Sequence, residues 1–197
     1  MSDLFYPSTD LPLYPLPTAG RTSAEIGSCA EEILPIVNEK GMVTASALRS
    51  WVHGGAKPLH PVVHLHLISR RCEFYLQRRS LAKSLYPGYW DTAVGGHVSF
   101  GESIGEALLR ESSEELGLRN INPVPLDCYV YESPDEKELV YVFGAAGDFS
   151  PRPDPEEVMD GRFWTQAEIE SNYGSGVLTP NFESEFRRIR GKLEALL

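Results

Sequence analysis

The sequence predicts an α/β (α+β) fold, a mixed β-sheet covered by helices. Three observations predict it. Val62 to Ile68 alternates as Val-Val-His-Leu-His-Leu-Ile, and 124–132 and 138–145 read as further strands. Two segments, 103–116 and 181–196, carry apolar residues at helical spacing. Glycines mark the ends of elements: Gly54-Gly55 after a short helix, Gly95-Gly96 in the short strand or loop over 91–98, and Gly117 after the helix over 103–116.

In chain order, residues 1–24 hold Pro7, Pro12, Pro15 and Pro17, which remove backbone donors. They predict an extended N-terminal arm. Leu4, Phe5, Leu11, Leu13, Tyr14 and Leu16 between the prolines would lay it on the domain or on a partner subunit. Residues 25–197 are expected to form a single domain. Residues 32–48 read as a hairpin turning at Glu39-Lys40-Gly41, with Pro35 marking an edge strand. A short helix over 49–55 ends at the glycine pair. Glu73 to Arg78 pairs back on 62–68, and Tyr86-Pro-Gly-Tyr-Trp90 is a turn with aromatic packing. Asp91 to Val98 is a short strand or loop. Ser103 to Leu116 is a helix stopped by Gly117. Gly161 to Trp164 is the last strand, followed by a helix near 166–171. In the terminal helix, Phe182, Phe186, Ile189, Leu193 and Leu196 should pack on the sheet or on a partner, which with the arm suggests a homodimer.

Composition bounds the function. At 197 residues the chain can bury roughly two-thirds of its unfolded surface without disulfide or structural zinc. A net charge of -10 argues against a nucleic-acid polymer as partner. Cys29, Cys72 and Cys128 make an odd count with no CxxC pair, which points to a reducing cytoplasm. Cys72 and Cys128 are expected to pack within strands. No apolar run reaches the roughly 20 residues of a membrane span, and the start Met-Ser-Asp-Leu lacks the basic region of a secretory signal.

The helix over 103–116 carries the chemistry. At about 100° per residue, with Glu111 at zero, Ala107, Ile104, Leu108, Leu116 and Leu109 define one apolar arc. Glu111 and Glu115 fall inside it and Glu114 at its edge; Glu106, Arg110 and Ser113 lie on the solvent side. Carboxylates aimed at the protein body are costly unless compensated, and at i, i+3 and i+4 they repel one another. Either their pKa values rise or a divalent cation sits among them, and hard oxygen ligands suit Mg²⁺ or Mn²⁺.

The same stretch resembles the Nudix box. Gly96, Glu102, Arg110, Glu111, Glu114, Glu115, Gly117 and Leu118 stand at its spacings over 23 residues. One position departs: Ser112 replaces a bulky aliphatic. The resemblance implies an αβα sandwich with a mixed sheet and a pyrophosphohydrolase that cleaves a diphosphate linkage with water as nucleophile. It implies Glu111, Glu114, Glu115 and the carbonyl of Gly95 as metal ligands, Arg110 as the residue orienting the glutamates, and Gly96 and Glu102 as structural loop residues. Glu157, in Asp154-Pro-Glu-Glu-Val158, is either a later-loop base or an exposed acid.

Leu59-His60, Gln77-Arg-Arg-Ser80, Lys83, Pro87-Gly88-Tyr-Trp90 and Gly96-His97 also resemble the subgroup containing isopentenyl-diphosphate isomerase. That resemblance implies a second metal site at His53, His60, His97, Glu136 and Glu138, and a grip on the substrate diphosphate by Arg79 and Lys83. Those histidines are otherwise structural, and Arg78, Arg79 and Lys83 are otherwise surface charge. His64 and His66 are expected to be strand residues with satisfied hydrogen bonds. The isomerase needs a cysteine where this chain has Gly95, while Arg-Glu-x-x-Glu-Glu is complete here; both favour hydrolysis. The alternatives are an isomerase-like enzyme and a catalytically silent binding module. The leaving moiety is not legible in the specificity loops near 127–138 and 145–160.

Overall fold

The computed structural model describes residues 13–14 and 31–197. Leu13–Tyr14 (β1) is a two-residue strand; the rest of the arm lies outside the described residues, as does Cys29. Ile33–Val37 (β2) and Val43–Leu48 (β3) form the expected hairpin. The Asn38 carboxamide oxygen accepts from the amides of Lys40 (2.9 Å) and Met42 (3.1 Å), and Gly41 takes φ 76°, so the turn chemistry sits in local residues. The sheet order is β1-β3-β2, parallel then antiparallel, which leaves Pro35 on an edge strand. Arg49–Trp51 (α1) runs into a π-turn over Val52–Ala56, where Gly55 at φ 97° breaks the helix.

Packing divides the chain into two compact units. The first comprises the described residues up to Val62, with His97–Ala107 and Tyr129–Val140; the second comprises Val63–Gly96, Leu108–Cys128 and Tyr141–Leu197. The larger sheet holds His60–Ile68 (β4), Phe74–Arg79 (β5), Trp90–Asp91 (β6), Val94–His97 (β7), Val124–Glu132 (β8), Lys137–Ala146 (β9) and Val158–Trp164 (β10). Its order is β10-β5-β4-β9-β8, with β6 on β5 and β7 on β4. Val63, Leu65, Leu67, Ile68 and Leu76 are fully buried, as central strands require.

Three helices accompany this sheet: Ile104–Leu116 (α2), Gln166–Ser171 (α3) and Pro180–Glu194 (α4). Ser103 and Glu106 start α2 with a reciprocal capping box, Glu106 N–H to Ser103 Oγ at 3.3 Å and Ser103 N–H to Glu106 Oε2 at 2.9 Å. Gly117 ends it at φ 64°, and the Leu118 amide closes back on the Ser112 carbonyl at 3.0 Å. The apolar arc holds for Ala107, Leu108 and Leu116, all buried, but Leu109 is exposed. Its predicted angle lay at the arc's limit, where solvent begins. Ser112 is fully buried, and its hydroxyl donates to the Leu108 carbonyl at 2.6 Å. A back-bonded hydroxyl thus satisfies itself where the box has an aliphatic.

In α4 the Thr179 hydroxyl caps the Phe182 amide (3.2 Å) and Pro180 occupies the first turn. Phe182, Phe186, Ile189 and Leu193 are buried, and Phe186 meets Phe74 edge-on at 4.8 Å. A side chain at Gly144 of β9 would overlap Leu193. The apolar stripe is therefore spent on the chain's own sheet, and the case for a homodimer reduces to the arm. Cys72 and Cys128 are both exposed rather than packed. Cys72 occupies the β4–β5 turn at φ 59°, and Cys128 lies on the edge strand β8, so neither has a second layer over it. Among the described residues, no helix is long and apolar enough to cross a membrane.

Candidate functional site

Within the second unit, β7 and α2 bring the box residues together. The two glycines of β7 point their missing side chains to opposite faces. A Cβ on Gly96 would collide with the Glu111 carboxyl, so only glycine lets that carboxylate lie against the strand. The Gly95 amide donates to Glu115 Oε2 at 3.2 Å, and the Gln77 side-chain amide donates to the same oxygen at 3.0 Å. Arg110 spans Glu111 Oε1 (2.8 Å) and Glu114 Oε2 (3.0 Å). Gln77 was not singled out from sequence as a partner of Glu115. The available signal was its place on β5 as a polar residue in an otherwise buried run.

Glu115 is buried, and its carboxyl is pushed up to about 8. Burial is the main cause and the negative charge of Glu111 the next; Lys83 and the Gly95 and Gln77 donors oppose them. Two donors do not offset burial, so the ionised form needs a further positive charge beside it, which is a fit for a cation among oxygen ligands. Glu114 is more exposed and held by Arg110.

The linkage has a definite sign. The folded value of Glu115 lies above its ordinary 4.5, so the folded state holds this proton more tightly. Its contribution to stability is complete below about 4.5 and lost as pH rises to about 8. In chelator, the melting temperature of the wild type should fall between pH 5 and 8 by more than that of Glu115→Gln. Parallel curves for the two proteins would contradict the assignment.

The other expected residues of this unit are engaged. Lys83 Nζ meets Glu157 Oε2 at 2.5 Å, and the Ser80 amide donates to the Glu157 carbonyl at 3.3 Å. Arg79 pairs with Asp91 at 3.1 Å and donates to the Leu85 carbonyl at 3.2 Å, while Arg78 donates to the Gly88 carbonyl at 2.9 Å.

Within the first unit, His53, His60 and His97 converge. One ring nitrogen from each lies within 4.8 Å of the other two; among the described residues this is the one such set of three ligand groups. Among the described residues, the glutamates of α2 do not form such a set. His53 Nε2 and His97 Nε2 are 3.0 Å apart and share a hydrogen bond. His60 Nδ1 bonds to the Pro58 carbonyl at 3.0 Å, which fixes its proton and turns Nε2 inward. That buried Nε2 has no hydrogen-bond partner, and Glu138 Oε1 stands 4.0 Å from it. Glu136 ends the turn just before β9. Burial lowers His53 and pulls His60 down to about 4, so both stay neutral and offer lone pairs at pH 7. An orphaned inward nitrogen, two neutral rings and a nearby carboxylate fit a divalent metal of the nitrogen-binding kind. Glu102 accepts from the Ser99 amide at 3.0 Å in the loop before α2.

Comparison with known proteins follows the same two themes. The NUDIX domain family model matches residues 58–182. An isopentenyl-diphosphate Delta-isomerase of Streptomyces griseus is 31% identical over 159 residues, 78% of this chain and 81% of that protein. An uncharacterised Nudix hydrolase of Streptomyces coelicolor is 33% identical over 168 residues, 83% of this chain and 91% of that one. A crystal structure of a Deinococcus radiodurans protein aligns with TM-score 0.70 at 27% identity, covering 80% of this chain and 99% of that one.

Proposed function

Because this chain belongs to the Nudix family, we propose that it is a Mg²⁺- or Mn²⁺-dependent pyrophosphohydrolase acting on a small organic diphosphate, with water as nucleophile. The observation that carries this reading is the pairing of Gly95 with a complete glutamate set. Glu115 is gripped by the Gly95 amide and Gln77, Glu111 lies under Gly96, and Arg110 bridges Glu111 to Glu114. Glu111, Glu114, Glu115 and the Gly95 carbonyl would hold the metal. Bound there, a divalent ion supplies Lewis acidity and lowers the pKa of water. The chain's own part is to set the carboxylates: the Gly95 and Gln77 donors fix Glu115, and Arg110 holds Glu111 and Glu114 in register. Arg79 and Lys83 are the cations for the substrate phosphates, and Glu157 is the later-loop base. We place the protein in the cytoplasm, with no nucleic-acid polymer among its partners.

The isomerase reading has its own support, the histidine cluster with Glu138 and the name of the Streptomyces griseus relative. Glycine at 95 offers no acid, base or nucleophile, which weighs against it. A screen of organic diphosphates with Mg²⁺ and with Mn²⁺, read as phosphate released after phosphatase coupling, separates the two. Hydrolysis should vanish in excess chelator and return with either metal. Undiminished hydrolysis in chelator would sink the metal mechanism, and isomerisation of isopentenyl diphosphate by the wild type would sink the hydrolase assignment.

A further inference from the structure

Asp91 on β6 stands opposite Gln77 on β5 in the antiparallel register, so the two side chains share one face of the sheet. Arg79, two residues beyond Gln77 on β5, lies on that face as well. It is the face from which Gln77 reaches Glu115. Asp91 ties three parts of the second unit together there. Its Oδ2 accepts from Arg79 Nη1 at 3.1 Å. Its Oδ1 accepts from the Thr92 amide at 2.8 Å and from the Thr179 hydroxyl at 3.0 Å. Thr179 is buried, and the same hydroxyl accepts from the Phe182 amide. A continuous chain of hydrogen bonds therefore runs from the first turn of α4 through Thr179 and Asp91 to Arg79.

A guanidinium carries five N–H donors. Arg79 spends one on Asp91 and one, at 3.2 Å, on the Leu85 carbonyl, and its side chain makes no other hydrogen bond among the described residues. Its backbone is held too, with its amide on the Tyr89 carbonyl at 2.9 Å and its carbonyl on the Gly88 amide at 3.1 Å. Asp91 cancels part of the cation's charge and so weakens its long-range pull. What it confers is orientation. Held at Nε and at Nη1, the planar group is fixed, and Nη2 keeps two donors for an anion. Only a carboxylate serves all three donors at 91. An asparagine would set its NH₂ either against Arg79, donor to donor, or against the Thr92 amide, so a bond fails in each orientation.

We propose that Asp91 is the positioning residue of Arg79 and that the Thr179 hydroxyl locks Asp91, so that the N-terminus of α4 orients the cation presented to the substrate's phosphates. This rests on the diphosphate reading and deepens it. The C-terminal helix thereby has a part in the site besides filling the core, through one hydroxyl.

The test uses the full chain. In ¹⁵N-arginine spectra, a guanidinium held at two ends rotates slowly about its Cζ–Nε bond and shows separate Nη signals. Arg79, identified by the signals lost in Arg79→Gln, should show them. Asp91→Asn, or Asp91→Ser if the asparagine variant does not fold, should merge them. Thr179→Val should do the same, while Thr179→Ser, which keeps the hydroxyl, should not. Calorimetry in Mg²⁺ with methylenediphosphonate, a diphosphate mimic without an organic moiety, then reads the consequence. Arg79→Gln and Asp91→Asn should each weaken its binding about tenfold, and the double variant should lose no more than either alone. Separate Nη signals that persist in Asp91→Asn, equal behaviour of Thr179→Ser and Thr179→Val, unchanged binding in Asp91→Asn, or losses that add in the double variant would each overturn the proposal. If the wild type binds no methylenediphosphonate while the Arg79 signals respond as stated, the diphosphate reading falls and the positioning stands.

Discussion

Glu115→Gln is expected to lower hydrolysis of the best diphosphate substrate by roughly 10² to 10⁴, or about 3–5 kcal/mol of transition-state stabilisation. The substitution keeps the volume of the side chain and an oxygen to accept from the Gly95 amide and Gln77. What it removes is charge, and charge is the part burial makes costly here. The metal-free variant should therefore fold, and above neutral pH it should melt higher than the wild type. Activity and stability moving in opposite directions is the signature of a ligand carboxylate; a merely structural glutamate would lose both. Glu114→Gln should lose activity as well, with less change in melting, because Glu114 is the more exposed and already neutralised by Arg110. Circular dichroism with steady-state kinetics decides it. Normal rates in both variants would remove the glutamates from the mechanism.

His60→Ala is expected to lower the affinity of the histidine cluster for Mn²⁺ or Zn²⁺ by 10²-fold or more, a magnitude of the kind seen when a ligand or its bracing partner is lost. His60 is the best-braced member, with one nitrogen on the Pro58 carbonyl and the other turned into the cluster. Its neutral state at pH 7 means that little proton release accompanies binding at that ring. Equilibrium dialysis with metal analysis on the full chain gives the affinity. His66→Ala serves as the comparison, since His66 bonds to the Glu185 carboxylate of α4, and it should leave that affinity unchanged. Equal retention of metal by wild type and His60→Ala would show that the cluster is no metal site.

What was legible in the sequence was local. The angles of Glu111 and Glu115 on α2 follow from helix geometry, and Gly117 reads as a stop because few residues other than glycine accept a positive φ there. The hairpin over 32–48 announced itself through its turn. Leu109 failed because the arc ended at its position, and Cys72 because a turn residue was read into a strand. Long-range pairing left no mark. Nothing near His64 or His66 names Glu185, the carboxylate both meet, which lies more than a hundred residues away. Glu185 stands three residues after Phe182 and four before Ile189, on the buried face of its helix, and that position was the one signal available. The histidine cluster came from family resemblance, since a spacing of seven between His53 and His60 says nothing of His97.

The short contact between Lys83 and Glu157 gives the resting protein an internal counter-ion on each side of one bond. Each group occupies the other's charge. In the proposed hydrolase, an anion that drew Lys83 toward itself would leave Glu157 without this cation. On the proposed function, taking up the substrate and releasing Glu157 would be one exchange of partners. Both side chains are partly exposed, so added salt screens this pair and loosens the hold of each group on the other.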